Sequence, residues 1–185
     1  MLLLMRYWVL PVSALISAVL CVVIRLVMRT PVRRAFLEAL FVGYVVALLY
    51  VVFLLPVAPR LDAARSVRTS VNLVPARTIV GIVRDHPGMV GWQLFGNVFL
   101  FVPLGFLLPL LSKRYRRFAL TAATALSVSV SIELVQLAML LMVVSRRSVD
   151  VDDVILNVTG VCLGYAMWRV AHALAQPSAQ DPGVL

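Results

Sequence analysis

Long apolar runs constrain this chain more than any other feature. Tyr7 to Ile24, Ala39 to Pro59 and Pro87 to Ser112 contain no Asp, Glu, Lys or Arg, and Phe118 to Ser145 contains only Glu133. Each is long enough for a helix that crosses a hydrocarbon core, which takes about 20 apolar residues. A fifth run, Val154 to Trp168, is uncharged but short. Taken from Asp152 to about Leu174, it spans as a tilted helix if Arg169 snorkels to one interface while the aspartates sit at the other. Charged residues make up 14% of the 185, against roughly a quarter in soluble domains. The chain therefore reads as an all-α, polytopic membrane helical bundle of about five transmembrane helices. A single membrane domain is expected over residues 1–175, followed by a flexible tail over 176–185 that contains Pro177 and Pro182.

The first run resembles a signal peptide, because Arg6 precedes it and "SALISA" offers small residues for cleavage. An uncleaved helix is the better reading, since the run continues to Ile24 and is flanked by Arg25 and Arg29. Cys21 and Cys162 fall inside predicted helices without CxxC spacing, so they read as small apolar residues rather than as a metal site or a disulfide.

The net charge of +9 matters through its placement. The connections Arg25 to Arg34 and Lys113 to Arg117 hold four cations each with no acid between them, which marks them as cytoplasmic. The opposite connections are mixed: Arg60 to Arg84 carries five arginines with Asp62 and Asp85 at its ends, and Ser145 to Asp153 sets two arginines against three aspartates. The expected arrangement in a bacterial cytoplasmic membrane is N-terminus out and C-terminus in. Such arginine clusters beside apolar helices anchor to anionic membrane lipids, and no nucleic acid is called for.

One connection is long. Within it "NLVPARTIVGIVR" places Pro75 near a helix start and interleaves Leu73, Val74, Ile79, Val80, Ile82 and Val83 with arginines, as an interfacial helix would. The alternative is a re-entrant lid over a site between helices. "RDHPGM" then forms a turn, with His86 as an exposed loop residue.

Polar residues at membrane depth are costly, about 2.5–3.5 kcal/mol for a charge even on insertion scales, so Glu133 needs a partner or a proton. Ser129, Glu133 and Gln136 share one helix face, while Thr121, Thr124, Ser127 and Ser131 lie on roughly the opposite one. Two polar faces would put protein on both sides of this helix, but for the second face the better reading is that Ser and Thr bond back to the helix or let neighbours approach. In "GNVFLFVPLGFLLP", Asn97, Phe101 and Gly105 form a stripe, and Pro103 frees the carbonyl of Phe99. The expectation is a kink whose free carbonyl joins the Asn97 amide in a polar cleft. Asp153, Asn157, Gly160 and Gly164 form another stripe, the two glycines being a GxxxG pair that predicts close helix packing. Counting about 1.5 Å per residue inward from the outer side sets Asn97, Glu133, Gln136 and Asn157 in one outer-half layer on three helices.

These residues also carry a family pattern. The chain resembles the VanZ-like family, accessory membrane proteins of teicoplanin-resistance type, from Asn72 to Tyr165: "NLVP", Asn97 with "FVPLGF" and Pro109, Glu133 and Gln136 as an ExxQ element, Arg147 with "DVDD", then Asn157, Gly160 and Gly164. It departs at Arg146, where the family commonly has Gly before the arginine. The resemblance implies a bacterial cell-envelope protein, in some members linked to lower susceptibility to glycopeptide antibiotics, and no established reaction.

Two functions compete at this stage. The first is a non-enzymatic protein that modulates binding of, or access to, an amphiphile at the outer leaflet, a lipoglycopeptide or a lipid-linked cell-wall precursor. Its binding residues would be Asn97, Glu133, Gln136, Arg147, Asp150, Asp153 and Asn157, with the Arg147 fork pairing a phosphate or carboxylate. The second is a membrane enzyme on a lipid-linked phosphate, with Glu133 as candidate acid or base and Asp150, Asp152 and Asp153 as candidate ligands of a divalent cation. A structural reading runs beside both: two of the three aspartates cap the last helix. No Walker loop, HExxH or Cys/His pair is present, so no cofactor is called for.

Overall fold

The computed structural model describes residues 2–54, 71–85, 87–142 and 148–176. Helix α1 (Leu2–Val27) turns back into α2 (Val32–Leu49), which runs on as a π-helical stretch over Tyr50–Leu54. A two-residue strand β1 (Val71–Asn72) leads into the short helix α3 (Arg77–Asp85). A 3₁₀ turn at Pro87–Met89 precedes α4 (Val90–Leu111), and another at Lys113–Arg116 joins α4 to α5 (Phe118–Leu141). Strand β2 (Val149–Asp150) then feeds directly into α6 (Val151–Leu174). The expected conserved-pattern arginine, Arg147, and the loop residue His86 lie outside the described residues, as does the tail beyond Gln176.

The protein is an all-α polytopic membrane bundle. Among the described residues four helical stretches are long and apolar enough to cross a membrane: Val32–Phe53, Gln93–Leu111, Phe118–Leu141 and Val151–Leu174. The described apolar part of α1, Val12–Arg25, is shorter, and α1 packs along α2 where Gly43 faces Ala14 and Ala18. The second spanning helix starts seven residues earlier than its uncharged run, at Val32 rather than Ala39. The reason is Glu38, which lies between Arg25 of α1 and Arg34 one turn back on α2 and pairs with both. A paired carboxylate does not end a helix as an isolated one at depth would.

The closest packing is between α4 and α6, which run parallel. A Cβ at Gly160 would overlap the carbonyl of Val98, one at Gly164 that of Val102, and one at Gly105 that of Val161. Backbone meets backbone here because none of the three positions has a side chain, the arrangement that small residues permit in membrane helices. Phe101 and Val161, each 1% exposed, fill the adjoining core with Leu48, Val52, Leu104 and Ile132. Helix α4 stays continuous through Pro103 and Pro109. The Leu100 carbonyl accepts a hydrogen bond from the Tyr44 hydroxyl at 3.0 Å, which ties α2 to α4.

The second polar face of α5 bonds back to its own helix, as the preferred reading of its Ser and Thr residues expects. Thr121 is buried and donates to the Tyr115 carbonyl, but Ser127 and Ser131 are exposed and donate to carbonyls four residues back, at 2.9 and 2.7 Å. Hydroxyls that bond to their own helix need no neighbouring protein.

At the end where α4 and α6 begin, β1 and β2 pair in parallel, Val71 with Val149 and Asn72 with Asp150. Helix α3 has no local cap, since Ala76 precedes it in a left-handed conformation (φ 64°). Asp152 of α6, 1% exposed, supplies one instead: the amides of Ala76, Thr78 and Ile79 donate to its carboxylate at 2.5, 2.8 and 3.1 Å. These are free amides of a helix start, and a carboxylate there also complements the helix dipole.

Replacing Gly164 by Val should force α4 and α6 apart and cost about 1–3 kcal/mol, read as a lowered unfolding midpoint in detergent. Gly96→Ala, where an added methyl meets nothing, should leave the midpoint unchanged or slightly raised. Asp152→Asn keeps the shape but removes the charge and one acceptor edge. It should weaken the α3 cap by about 1–2 kcal/mol, seen as faster amide exchange confined to Ala76–Asp85.

Candidate functional site

Three helices bring their polar residues to one cleft near the β1–β2 end of the bundle. Asn97 comes from α4, Glu133 and Gln136 from α5, and Asp153 and Asn157 from α6. Its apolar wall is Val52, in the π-helical continuation of α2, with Leu100, Phe101 and Ile132, and the free space between these side chains admits about one water-sized group. The i, i+3 and i, i+4 spacings place each pair on the inward face of its helix, and the glycine contact between α4 and α6 holds the pairs together.

Most of these groups are engaged. The Asn97 amide donates to Asp153 Oδ1 at 2.5 Å, and the Asn157 amide donates to the Ser129 hydroxyl at 2.9 Å. Glu133, 7% exposed, accepts the backbone amide of Asp150 at 3.0 Å through Oε2, which ties α5 to the start of α6. Gln136 differs. It is 2% exposed, and its Oε1 atom is buried without a hydrogen-bond partner. Leaving such an acceptor unpaired costs about 1–3 kcal/mol.

Asp150 and Asp152 stand apart from the cleft. Asp150 is the N-cap of α6, accepting the Asp152 amide at 2.9 Å, and it also receives the Asn72 amide at 2.9 Å and the Thr78 hydroxyl at 2.5 Å. Asp152 caps α3, not α6. Two aspartates thus act as caps, but one of them serves a helix far away in sequence. Among the described residues no three His, Cys, Asp or Glu side chains converge as a metal site requires. The carbonyl of Phe99, expected in the cleft, is not there: Phe99 is 68% exposed on the outer side of α4 and does not line it.

Two contributors escaped the sequence reading. Thr78 bonds to Asp150 through its hydroxyl and to Asp152 through its amide, and Asn72 bonds both Thr78 and Asp150. Asn72 had a sequence signal as the first residue of "NLVP", whereas Thr78 stands out only as an uncharged polar residue among apolar residues and arginines.

Comparison with known proteins gives one match. No curated protein and no solved structure matches the chain. A family model described as VanZ/LLP1 matches residues 41–172, well over half of the sequence, and it includes every described residue of the cleft and of the α3 clasp. The chain is a membrane protein of the VanZ/LLP1 family.

Proposed function

We propose that this protein works without catalysis in the bacterial cytoplasmic membrane, holding the polar end of an amphiphile in the α4–α5–α6 cleft at the outer leaflet. It thereby modulates access to that amphiphile, a lipoglycopeptide or a lipid-linked cell-wall precursor, and through it glycopeptide susceptibility. One observation carries the reading: polar side chains from three membrane helices face a single partly open cleft. Polar groups at membrane depth are costly and concentrate at sites and pathways. The amphipathic α3 and the turn before it, clasped beside this end of the bundle, expose Leu73, Val74, Val80 and Val83 next to Arg77 and Arg84. Such a surface suits an interfacial element lying where an amphiphile would approach.

The outward orientation rests on the arginine clusters at the other end, Arg114, Arg116 and Arg117 around the α4–α5 turn and Arg25, Arg29, Arg33 and Arg34 around the α1–α2 turn.

Glu133→Gln and Asp153→Asn, in protein shown to insert normally, should each abolish any shift in teicoplanin susceptibility that the unaltered chain confers, and reduce amphiphile retention on purification. Unchanged behaviour of both variants would sink the cleft as the working site. A cysteine placed at exposed Arg84 should react with a membrane-impermeant thiol reagent added to intact cells; protection there would invert the topology and remove the outer-leaflet assignment.

A further inference from the structure

We infer that the group held in the cleft is a primary ammonium, the head of an aminophospholipid or a small soluble amine. This inference rests on the amphiphile-binding reading above and names the chemistry of that same site. Its starting point is Gln136, a residue of the cleft wall whose buried Oε1 accepts nothing. A buried acceptor of this kind calls for a donor.

The neighbouring groups sharpen the requirement. The Asn97 and Asn157 side-chain amides already donate, to Asp153 and Ser129. Glu133 and Asp153 also present carboxylate oxygens to the cleft, which accept and do not donate when ionised. The cleft therefore offers acceptors to a ligand that must donate. A phosphate, which only accepts when fully ionised, meets the wrong polarity at Gln136.

Size points the same way. The free space between these side chains is about one water-sized group. An ammonium has that size and carries three N–H donors, whereas a phosphate tetrahedron or a sugar ring is larger. Val52, Leu100, Phe101 and Ile132 form an apolar wall suited to the carbons that follow the nitrogen.

The test uses the full chain purified in mild detergent. Phosphatidylethanolamine, phosphatidylcholine and phosphatidic acid with identical acyl chains are offered in equal amounts, and retained lipid is read by native mass spectrometry. Phosphatidylethanolamine should be retained about tenfold over the other two, the effect of pairing one buried acceptor. Gln136→Leu should reduce that preference to within about twofold. If that variant does not insert, the comparison on the unaltered chain decides alone. Displacement of phosphatidylethanolamine by free ethanolamine assigns the ammonium to a soluble amine; its absence assigns it to the lipid, and both support the inference.

Equal retention of the ethanolamine and choline lipids would overturn the ammonium and leave water as the partner of Gln136, and preference for phosphatidic acid would overturn it in favour of phosphate. In both of those cases amphiphile binding itself survives. Retention of no lipid and no displacement by amine would remove both readings together.

Discussion

The rest of the structure depends on how closely α4 and α6 approach. A membrane offers no hydrophobic force to press helices together, because lipid tails are as apolar as the side chains between them. Here the approach is made by Gly105, Gly160 and Gly164, each set against a carbonyl of the other helix. With the two backbones in contact, Asn97 comes within hydrogen-bond reach of Asp153, and α5 can lay Ser129 and Glu133 against the same helix. The polar layer follows from the glycine seam. If the helices were farther apart, the same side chains would each face lipid alone.

The acidic residues of α5 and of the start of α6 then divide by depth. Asp150 and Asp152 sit where α6 begins, and their oxygens are taken up by backbone amides and by Asn72 and Thr78. Glu133 and Asp153 face the cleft. Glu133 nevertheless also holds the amide of Asp150, so the clasp outside and the cleft inside are joined through one residue. A displacement of α3 that pulled on Asp150 would act directly on the Glu133 carboxylate.

Several of these features were legible in sequence because they rest on short-range geometry. The apolar runs marked the helices, since length alone decides whether a helix can span. Counting residues inward on antiparallel threads set Asn97, Glu133, Gln136 and Asn157 at one depth, and a rise of about 1.5 Å per residue makes that count reliable. What escaped depended on partners distant in sequence. Glu38 looked like a helix boundary until Arg25 was seen beside it, and nothing near Asp152 announces that it caps a helix starting at Arg77. Ser127 and Ser131 were legible for the opposite reason: their partners lie four residues back in their own helix.

The clasp also sets an order of assembly. The carboxylate that caps α3 lies 74 residues after the Thr78 amide it accepts, and the strand that pairs with β1 comes equally late. At about 5–20 residues per second, α3 leaves the ribosome roughly 4 to 15 s before its cap exists. During that interval its first amides have only water or lipid head groups to bond, and α4 and α5 are already being inserted. The amphipathic segment therefore meets the membrane surface first and is gathered onto the bundle last, when α6 arrives. The final helix to be made is the one that fixes an element begun near the middle of the chain.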